Sequence, residues 1–235
     1  MSASFCRTSV DWAAAADALD DEGYALTGRL LTPRRCRQLR RRYDDAKAFR
    51  SVIDMQRHNF GRGQYKYFDY PLPRLVEVLR KHFYAGLAPI ANRWNERLDI
   101  DDRWPDSLDE LTARCHAAGQ RRPTPLLLRY RENDYNCLHQ DLYGDIRFPF
   151  QVIVLLSRPG EEFEGGELIL VEQRPRMQSR PMVVPIPQGC AAIIPVRERP
   201  REGRRGWYRT QLRHGVSRLR RGERFTLGLI FHDAA

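Results

Sequence analysis

The sequence predicts an α+β fold in which a double-stranded β-helix, or jelly roll, is supported by N-terminal helices. The 235 residues are 42% hydrophobic and 10% aromatic, which is enough for one domain with a buried core. The first half of the chain shows helical periodicity, and short β-branched and aromatic runs follow from about residue 124. We therefore expect residues 1–235 to form one domain, with helical support and a candidate substrate lid over 1–123 and the jelly-roll core over 124–235.

Helices are expected in four places of the first half. Alanine-rich composition or apolar residues near the 3.6-residue period indicate them. Thr32, followed by Pro33, and Ser107 are candidate N-caps for two of the four. The predicted helices cover residues 11–20, 33–47, 73–98 and 108–118.

Strands are expected in the second half, where Gly, Pro or charged clusters separate short apolar runs. Seven or eight such strands after a helical half favour two packed sheets. The arginine-rich stretch Glu198–Gly206 is expected to be a loop. The predicted strands are Leu126–Arg131, Pro149–Ser157, Glu167–Glu172, Met182–Ile186, Ala191–Val196, Gln211–Ser217 and Arg224–His232.

The positive charge is concentrated in two segments. The chain has a net charge of +10, with a balance of +9 over residues 28–66 and +8 over 197–224, so the remainder carries −7. Two basic segments on an acidic protein indicate a polyanionic partner such as nucleic acid. The alternative is a compositional bias, because 37 of the 40 basic residues are arginine, as GC-rich coding produces.

Several classes of protein are disfavoured by the sequence. It contains no apolar run of the roughly 18–20 residues that a membrane span needs. Residues 1–20 lack the pattern of a secretory signal. The odd number of scattered cysteines, without any CxxC pair, argues against a disulfide framework and a structural zinc site, and predicts a cytoplasmic protein with reduced thiols. The five cysteines are Cys6, Cys36, Cys115, Cys137 and Cys190.

One group of residues has the composition of a metal site. His139 and Asp141 are two residues apart, so in an extended chain their side chains share one side, and His214 lies within another predicted strand. Two imidazoles and one carboxylate form the facial triad of non-haem Fe(II) sites, which leaves positions open for substrate and O₂. A zinc site with an open water position is the alternative, and structural histidines are the commoner use of such residues.

The last predicted strand adds a candidate anion site. Arg224 and Thr226 share one face of this strand, and the opposite face is apolar from Phe225 to Phe231. An arginine that points into a β core needs an anionic partner, because desolvating a guanidinium is costly. Arg224 is therefore expected to bind a carboxylate ligand, with an exposed edge arginine as the alternative.

The chain resembles the Fe(II)- and 2-oxoglutarate-dependent dioxygenases over roughly residues 125–232. Arg129-Tyr130, a gap of seven residues and Leu138-His139-Gln140-Asp141 are similar to the RY…LHQD segment of AlkB-type nucleic-acid dealkylases. The resemblance implies that His139, Asp141 and His214 ligate Fe(II), and that 2-oxoglutarate and O₂ are consumed with release of succinate and CO₂. On an N-methylated base, the hydroxylated product would release formaldehyde.

The resemblance also implies how 2-oxoglutarate is held. Tyr130 would hydrogen-bond its oxalyl end, and Arg224 and Thr226 would hold its distal carboxylate. The subfamily is mixed, because Ile230 stands where AlkB-type proteins carry a second arginine. The ten-residue spacing to Arg224 and the motif Phe163–Leu168 look like prolyl hydroxylases, and the whole pattern looks like bacterial oxygenases predicted to act on damaged nucleic acid.

Three hypotheses for function follow. The first is oxidative dealkylation of DNA or RNA, with residues 58–68 as a lid that stacks a base; core packing is the alternative for that segment. The second is hydroxylation of prolyl or other peptide residues. The third is a non-catalytic jelly-roll binding protein. The arginines expected to contact phosphate are Arg34, Arg35, Arg41, Arg42, Arg201, Arg204 and Arg205.

Overall fold

Two antiparallel sheets form the core of the molecule, in a computed structural model that describes residues 10–235. The first sheet has eight strands in the order β1-β11-β7-β14-β5-β4-β2, and β8 pairs with β14. The second has six strands in the order β10-β9-β13-β6-β3, and β12 pairs with β13. The strands are β1 (Ala25–Leu26), β2 (Phe49–Asp54), β3 (Gly61–Arg62), β4 (Gln64–Phe68), β5 (Leu126–Arg131), β6 (Tyr135–His139), β7 (Phe150–Leu155), β8 (Phe163–Gly165), β9 (Leu168–Gln173), β10 (Arg180–Val184), β11 (Ala191–Pro195), β12 (Glu198–Gly203), β13 (Gly206–Val216) and β14 (Leu219–Ile230).

Four α-helices pack against the first sheet, and their starts follow the expected caps. The Thr32 hydroxyl accepts a hydrogen bond from the backbone N–H of Arg35, and Ser107 accepts one from that of Glu110. Asp11 caps the first helix in the same way. The helices are α1 (Trp12–Asp21), α2 (Pro33–Arg41), α3 (Arg74–Arg97) and α4 (Leu108–Ala117). The second helix is shorter than predicted, because two 3₁₀ turns, Arg42–Asp44 and Ala46–Ala48, follow it.

The two faces of the first sheet bury different sets of residues. On β14, Phe225, Leu227 and Leu229 belong to the apolar cluster that also includes buried residues of all four helices. The alternate residues of the same strand, Arg224 and Thr226 among them, face the second sheet. The helices therefore cover the outer face of the first sheet, and its inner face lines the space between the two sheets.

Residues 49–68, which lie outside the four predicted helices, contain strands that were not predicted. They form β2, β3 and β4, and β4 extends the first sheet by pairing with β5 from Gln64↔Arg129 to Tyr67↔Leu126. The stretch Glu198–Gly206 is also not a simple loop: it forms β12 and the turn into β13. β4 pairs with the distant β5, whereas β12 pairs with its neighbour β13 in a hairpin whose many charged residues do not resemble a strand.

Two expectations from composition concern cysteines and membranes. Among residues 10–235 the cysteines are unpaired, and Cys6 lies outside the described residues. No helix in this part of the chain is long and apolar enough to cross a membrane. The first nine residues of the segment tested for a secretory signal also lie outside the described residues.

Candidate metal and co-substrate site

His139, Asp141 and His214 come together between the two sheets. His139 ends β6 and lies directly opposite His214 of β13 in the strand pairing, so the ladder sets the distance between the two imidazoles. Asp141 follows two residues later. The ligand atoms of the three side chains all lie within 4.8 Å of one another. The spacing recognised in the sequence therefore corresponds to a cluster in space.

Hydrogen bonds orient these side chains toward a common point. His139 Nδ1 donates a hydrogen bond to the carbonyl oxygen of Cys137 over 2.8 Å, which turns Nε2 toward Asp141. His139 Nε2 is 3.5 Å from Asp141 Oδ1, and His214 Nε2 is 3.3 Å from Asp141 Oδ2. The three groups thus present two imidazole nitrogens and a carboxylate, which is the donor set of a non-haem Fe(II) site.

The electrostatics favour an ionised carboxylate in this cluster. Burial opposes the charge on Asp141, but hydrogen bonds with His139 and His214 hold the pKa of Asp141 well below its ordinary value. Burial, together with the neighbouring His139, lowers the pKa of His214. Burial opposes the charge on His139, but the Asp141 carboxylate raises the pKa of His139, and a divalent cation would need both imidazoles deprotonated.

A cavity of about 320 Å³ adjoins the cluster. The first sheet contributes one wall, in which β14 presents Arg224, Thr226, Gly228 and Ile230. These residues alternate with the apolar residues that β14 buries under the helices, so one strand serves both the cavity and the core.

Arg224 and Tyr130 bring unpaired polar groups to one end of this cavity. They lie opposite each other on β14 and β5, and the Arg224 guanidinium carbon is 5.6 Å from the centre of the Tyr130 ring. Arg224 is 3% exposed and has no carboxylate within salt-bridge distance in the described chain. Burial lowers its pKa to about 10. The buried Tyr130 hydroxyl has no hydrogen-bond partner among residues 10–235, and burial raises its pKa.

The mouth of the cavity is apolar and aromatic. Phe60 and Leu138 line it and are 48% and 46% exposed, and the rings of His58 and Phe60 stack with centroids 5.3 Å apart. The two ends of residues 58–68 therefore differ in burial. Phe60 lies at the mouth, where a lid residue would, whereas Tyr67 and Phe68 are buried.

Most arginines expected to contact phosphate lie away from this mouth. Arg34, Arg35 and Arg41 are on α2, which packs under the outer face of the first sheet through Cys36 and Leu39. The first sheet therefore stands between this helix and the cluster, and Arg42, the first residue after α2, lies on the same side as the helix.

The three arginines expected to contact phosphate in the second basic segment also lie away from the cluster. Arg201 lies 3.6 Å from the buried Glu172. Arg204 and Arg205 form the turn between β12 and β13, where the adjacent Trp207 packs against Arg97 at the end of α3. Trp207 precedes His214 by seven residues, or about 23 Å of extended strand. Only the end of β13 that carries His214 reaches the cluster.

Three further residues of the site have no signal in the sequence. Tyr143 donates a hydrogen bond to Asp141 Oδ1 over 2.9 Å. Gln151 lines the cavity, and its buried Nε2 has no partner within the described part of the chain. Gln120 binds the backbone of the segment that follows Asp141. None belongs to a short motif, and only the three-dimensional structure shows their proximity.

Comparison with known proteins places this site in a family. Residues 63–234 match the family Oxygenase-NA, described as an oxygenase catalysing oxidative methylation of damaged DNA. The uncharacterized proteins Rv2227 and MT2286 of two Mycobacterium tuberculosis strains are each 51% identical over 168 residues, covering 72% of this chain and of the relative.

Solved structures share the fold at low sequence identity. A prolyl-4-hydroxylase from Pseudomonas putida is 16% identical, covers 95% of this chain and 100% of its own, and has a TM-score of 0.53. A prolyl hydroxylase from Trichoplax adhaerens is 16% identical, with coverage of 94% and 89% and a TM-score of 0.53. A 2OG-Fe(II) oxygenase from Burkholderia pseudomallei is 15% identical, with coverage of 95% and 92% and a TM-score of 0.51.

These likenesses confirm the jelly-roll fold, and the family match sets aside the non-catalytic alternative. Fe(II), 2-oxoglutarate and O₂ are the requirements of this class of enzyme, and the cluster of two histidines and one aspartate has the corresponding donor set. The chain belongs to the Oxygenase-NA family and is an oxidoreductase of the Fe(II)/2-oxoglutarate-dependent dioxygenase superfamily.

Proposed function

We propose that this protein oxidatively demethylates damaged DNA or RNA bases, with release of succinate, CO₂ and formaldehyde, and that residues 1–235 act as one oxygenase domain. The observation that carries the proposal is a His-Asp-His cluster, with Asp141 and His214 buried, that shares a cavity with an unpaired buried arginine. Hydroxylation of an N-methyl group gives a product that collapses to formaldehyde and the unmodified base, so removal of the methyl group is the direction that this chemistry favours.

The residues present fit the metal and the co-substrate. His139, Asp141 and His214 would hold Fe(II), because their donor atoms converge and Asp141 is ionised. When bound, Fe(II), 2-oxoglutarate and O₂ supply the oxidation of a substrate C–H bond. The chain itself has to orient these groups and exclude water from the cavity.

Arg224, Tyr130 and Thr226 would hold 2-oxoglutarate. The Arg224 guanidinium is buried without a carboxylate partner in the described chain, which is the environment that a ligand carboxylate would complete. The Tyr130 hydroxyl beside it is an additional unpaired donor. Thr226 lies one step further along the inner face of β14, toward the middle of the cavity.

The cavity mouth supports a planar substrate. A base inside a duplex cannot reach a buried site, so it must be flipped out or be single-stranded already. The exposed Phe60 ring, stacked on His58, offers a π-surface to such a base, and Arg57 and Arg62 flank it in the chain as candidate phosphate contacts. These features and the family's description favour nucleic acid.

Hydroxylation of prolyl or other peptide residues is the alternative. The glycine pair Gly165-Gly166 does not decide for it, because both glycines have a structural reason. A Cβ on Gly165 would lie 2.5 Å from the carbonyl oxygen of Arg218, and one on Gly166 would lie 2.5 Å from Leu219 and 3.1 Å from Arg224. The pair thus makes room for β14 and for Arg224, which any co-substrate site of this kind needs.

Product release tests the proposal directly. Enzyme supplied with Fe(II), 2-oxoglutarate and O₂ is incubated with methylated single-stranded DNA or RNA oligonucleotides and, in parallel, with proline-containing peptides. We expect succinate and formaldehyde in equal amounts with a methylated oligonucleotide, and neither above background with Asp141→Ala. Turnover with peptides alone would replace the proposed substrate by the alternative. The cytoplasmic location stays a prediction, and fractionation of cells tests it.

A further inference from the structure

The three members of the metal-binding cluster are not held in the same way. His139 and His214 lie on paired strands, so the ladder of the second sheet fixes both. Asp141 lies beyond β6, in a segment without regular secondary structure. Its carboxylate therefore depends on side-chain contacts for its orientation, since no strand pairing constrains it.

Tyr143 makes such a contact with Asp141. Its hydroxyl lies 2.9 Å from Asp141 Oδ1. An ionised carboxylate only accepts hydrogen bonds, so the Tyr143 hydroxyl must donate. The oxygen of the same hydroxyl accepts a hydrogen bond from Tyr67, also over 2.9 Å. Hydrogen bonds are thus donated in one direction, from Tyr67 to Tyr143 and from Tyr143 to Asp141.

Tyr67, the first donor in this series of hydrogen bonds, is held in place by its neighbours. Tyr67 is 7% exposed on β4, and its ring meets that of Tyr143 edge to face. The Arg50 guanidinium lies 4.5 Å from the centre of the Tyr67 ring and is itself held by a hydrogen bond to the carbonyl oxygen of Pro123. A cation over the ring and a donor chain that polarises in one direction both strengthen the final hydrogen bond.

The backbone beneath Tyr143 is fixed as well. The Gln120 amide donates to the carbonyl oxygens of Tyr143, Ile146 and Asp233, and it accepts from the backbone N–H groups of Asp145 and Ile146. Gln120 is 2% exposed, so these hydrogen bonds form in a dry environment. Both the side chain and the backbone of Tyr143 are thus constrained.

We propose that Tyr143, supported by Tyr67, is the positioning residue of the Asp141 carboxylate: its hydrogen bond occupies Oδ1 and leaves Oδ2 as the metal-binding oxygen. This inference rests on the proposed metal role of Asp141. A carboxylate that binds through one oxygen leaves more coordination positions open for the co-substrate than one that binds through two. Partners of this kind typically contribute 10–100-fold to metal affinity.

Metal affinity measured without turnover tests this proposal. The dissociation constant for Mn(II), the probe metal, is determined by calorimetry on apoprotein for wild type, Tyr143→Phe and Tyr67→Phe. We expect Tyr143→Phe to weaken binding by roughly 10–100-fold, and Tyr67→Phe by a few-fold because it acts through Tyr143. Tyr84→Phe is the matched control, since it also removes one hydrogen bond of a buried tyrosine, to the carbonyl oxygen of Pro105, away from the cavity.

The outcomes separate this proposal from the proposed function. Wild-type Mn(II) affinity in folded Tyr143→Phe overturns the positioning role, and if that variant does not fold, wild-type affinity in Tyr67→Phe overturns it. Equal weakening in Tyr84→Phe would show a general effect of stability and would also overturn it. Asp141→Ala reports on the metal site itself: unchanged affinity there contradicts the proposed function, whereas loss there with normal affinity in Tyr143→Phe contradicts the positioning role alone.

Discussion

Arg199 and Arg224 are both buried, but their surroundings differ completely. Arg199, on β12, lies 2.7 Å from a carboxylate oxygen of Glu172 and also donates to backbone carbonyl oxygens at the end of α1. Arg224, on β14, has no carboxylate within 4 Å anywhere in residues 10–235 and borders the cavity. The charge of a buried arginine with its own partner is satisfied within the fold, and a buried arginine without a partner indicates a ligand site.

The comparison extends to a third buried arginine. Arg80 of α3 bonds Asp233 and two backbone carbonyl oxygens of the β14 end, so it resembles Arg199 and not Arg224. The difference teaches that burial alone does not identify a functional arginine. Pairing separates the buried arginines that support the fold from Arg224 at the proposed 2-oxoglutarate site, and the following predictions test that separation.

The largest effect is expected where a paired arginine loses its carboxylate. Glu172→Gln leaves the Arg199 guanidinium buried without a counter-charge, so we expect the free energy of unfolding to fall by about 3 kcal/mol. Denaturation with urea measures this change. Glu161→Gln is the control, because it breaks the exposed Arg158–Glu161 pair and should cost less than about 1 kcal/mol. Equal effects of the two substitutions would remove the distinction between buried and exposed pairs.

The same substitution has a signature in acid. Burial opposes the charge on Glu172, but Arg199 and Arg174 hold its pKa below the ordinary value. The ion pair therefore contributes stability above the pKa of an unfolded glutamate, and this stability is lost as the pH falls through the folded pKa. As the pH falls from the pKa of an unfolded glutamate to the lower pKa of folded Glu172, the free energy of unfolding should therefore decrease less in Glu172→Gln than in wild type.

The unpaired arginine should behave in the opposite way. Arg224→Met breaks no ion pair, so we expect the free energy of unfolding to change by less than about 1 kcal/mol or to rise. The affinity for 2-oxoglutarate, measured by calorimetry with Mn(II) present, should fall by about 100-fold, which corresponds to two charge-assisted hydrogen bonds of about 1.5 kcal/mol. Arg220→Met on the same strand serves as control. Normal 2-oxoglutarate affinity in Arg224→Met would exclude the carboxylate role.

The smallest effect concerns the exposed arginines. Replacing Arg57 and Arg62 by Gln, near the cavity mouth, should weaken single-stranded DNA binding a few-fold and reduce its salt dependence by about 0.7 per lost phosphate contact. The same replacement of Arg41 and Arg42, beyond the outer face of the sheet, should change neither. Fluorescence anisotropy over a salt series measures both. A larger effect of replacing Arg41 and Arg42 would indicate that the DNA phosphates contact the helical layer instead.

The sequence predicted the metal-binding cluster from the types and spacing of its residues. His139, Asp141 and His214 were recognised because their types and spacing match a metal site, and the structure brings them together. The strand Leu126–Arg131 was predicted with its observed bounds, since its residues are apolar or aromatic at the buried positions. The roles of His139, Asp141 and His214 as metal ligands stay predictions until metal binding is measured.

The side-chain contacts between segments far apart in the chain could not be predicted. Tyr67 and Tyr143 are 76 residues apart, and nothing local shows that their hydroxyls meet. Arg199 looked like a loop residue because its neighbours are Pro, Glu and Gly, yet it is buried by a glutamate 27 residues earlier. In both cases the partner lies far away in the chain, so local sequence lacks the information that decides the contact.

The direct opposition of His139 and His214 has a consequence for the apoprotein. An ion bound by both imidazoles would link β6 to β13 through the pair His139 and His214. On its other side, β6 pairs with the two-residue strand β3. Binding energy would thus add to the local stability of a sheet edge. The exchange of amide protons along Tyr135–His139 would then report metal occupancy in the absence of any substrate.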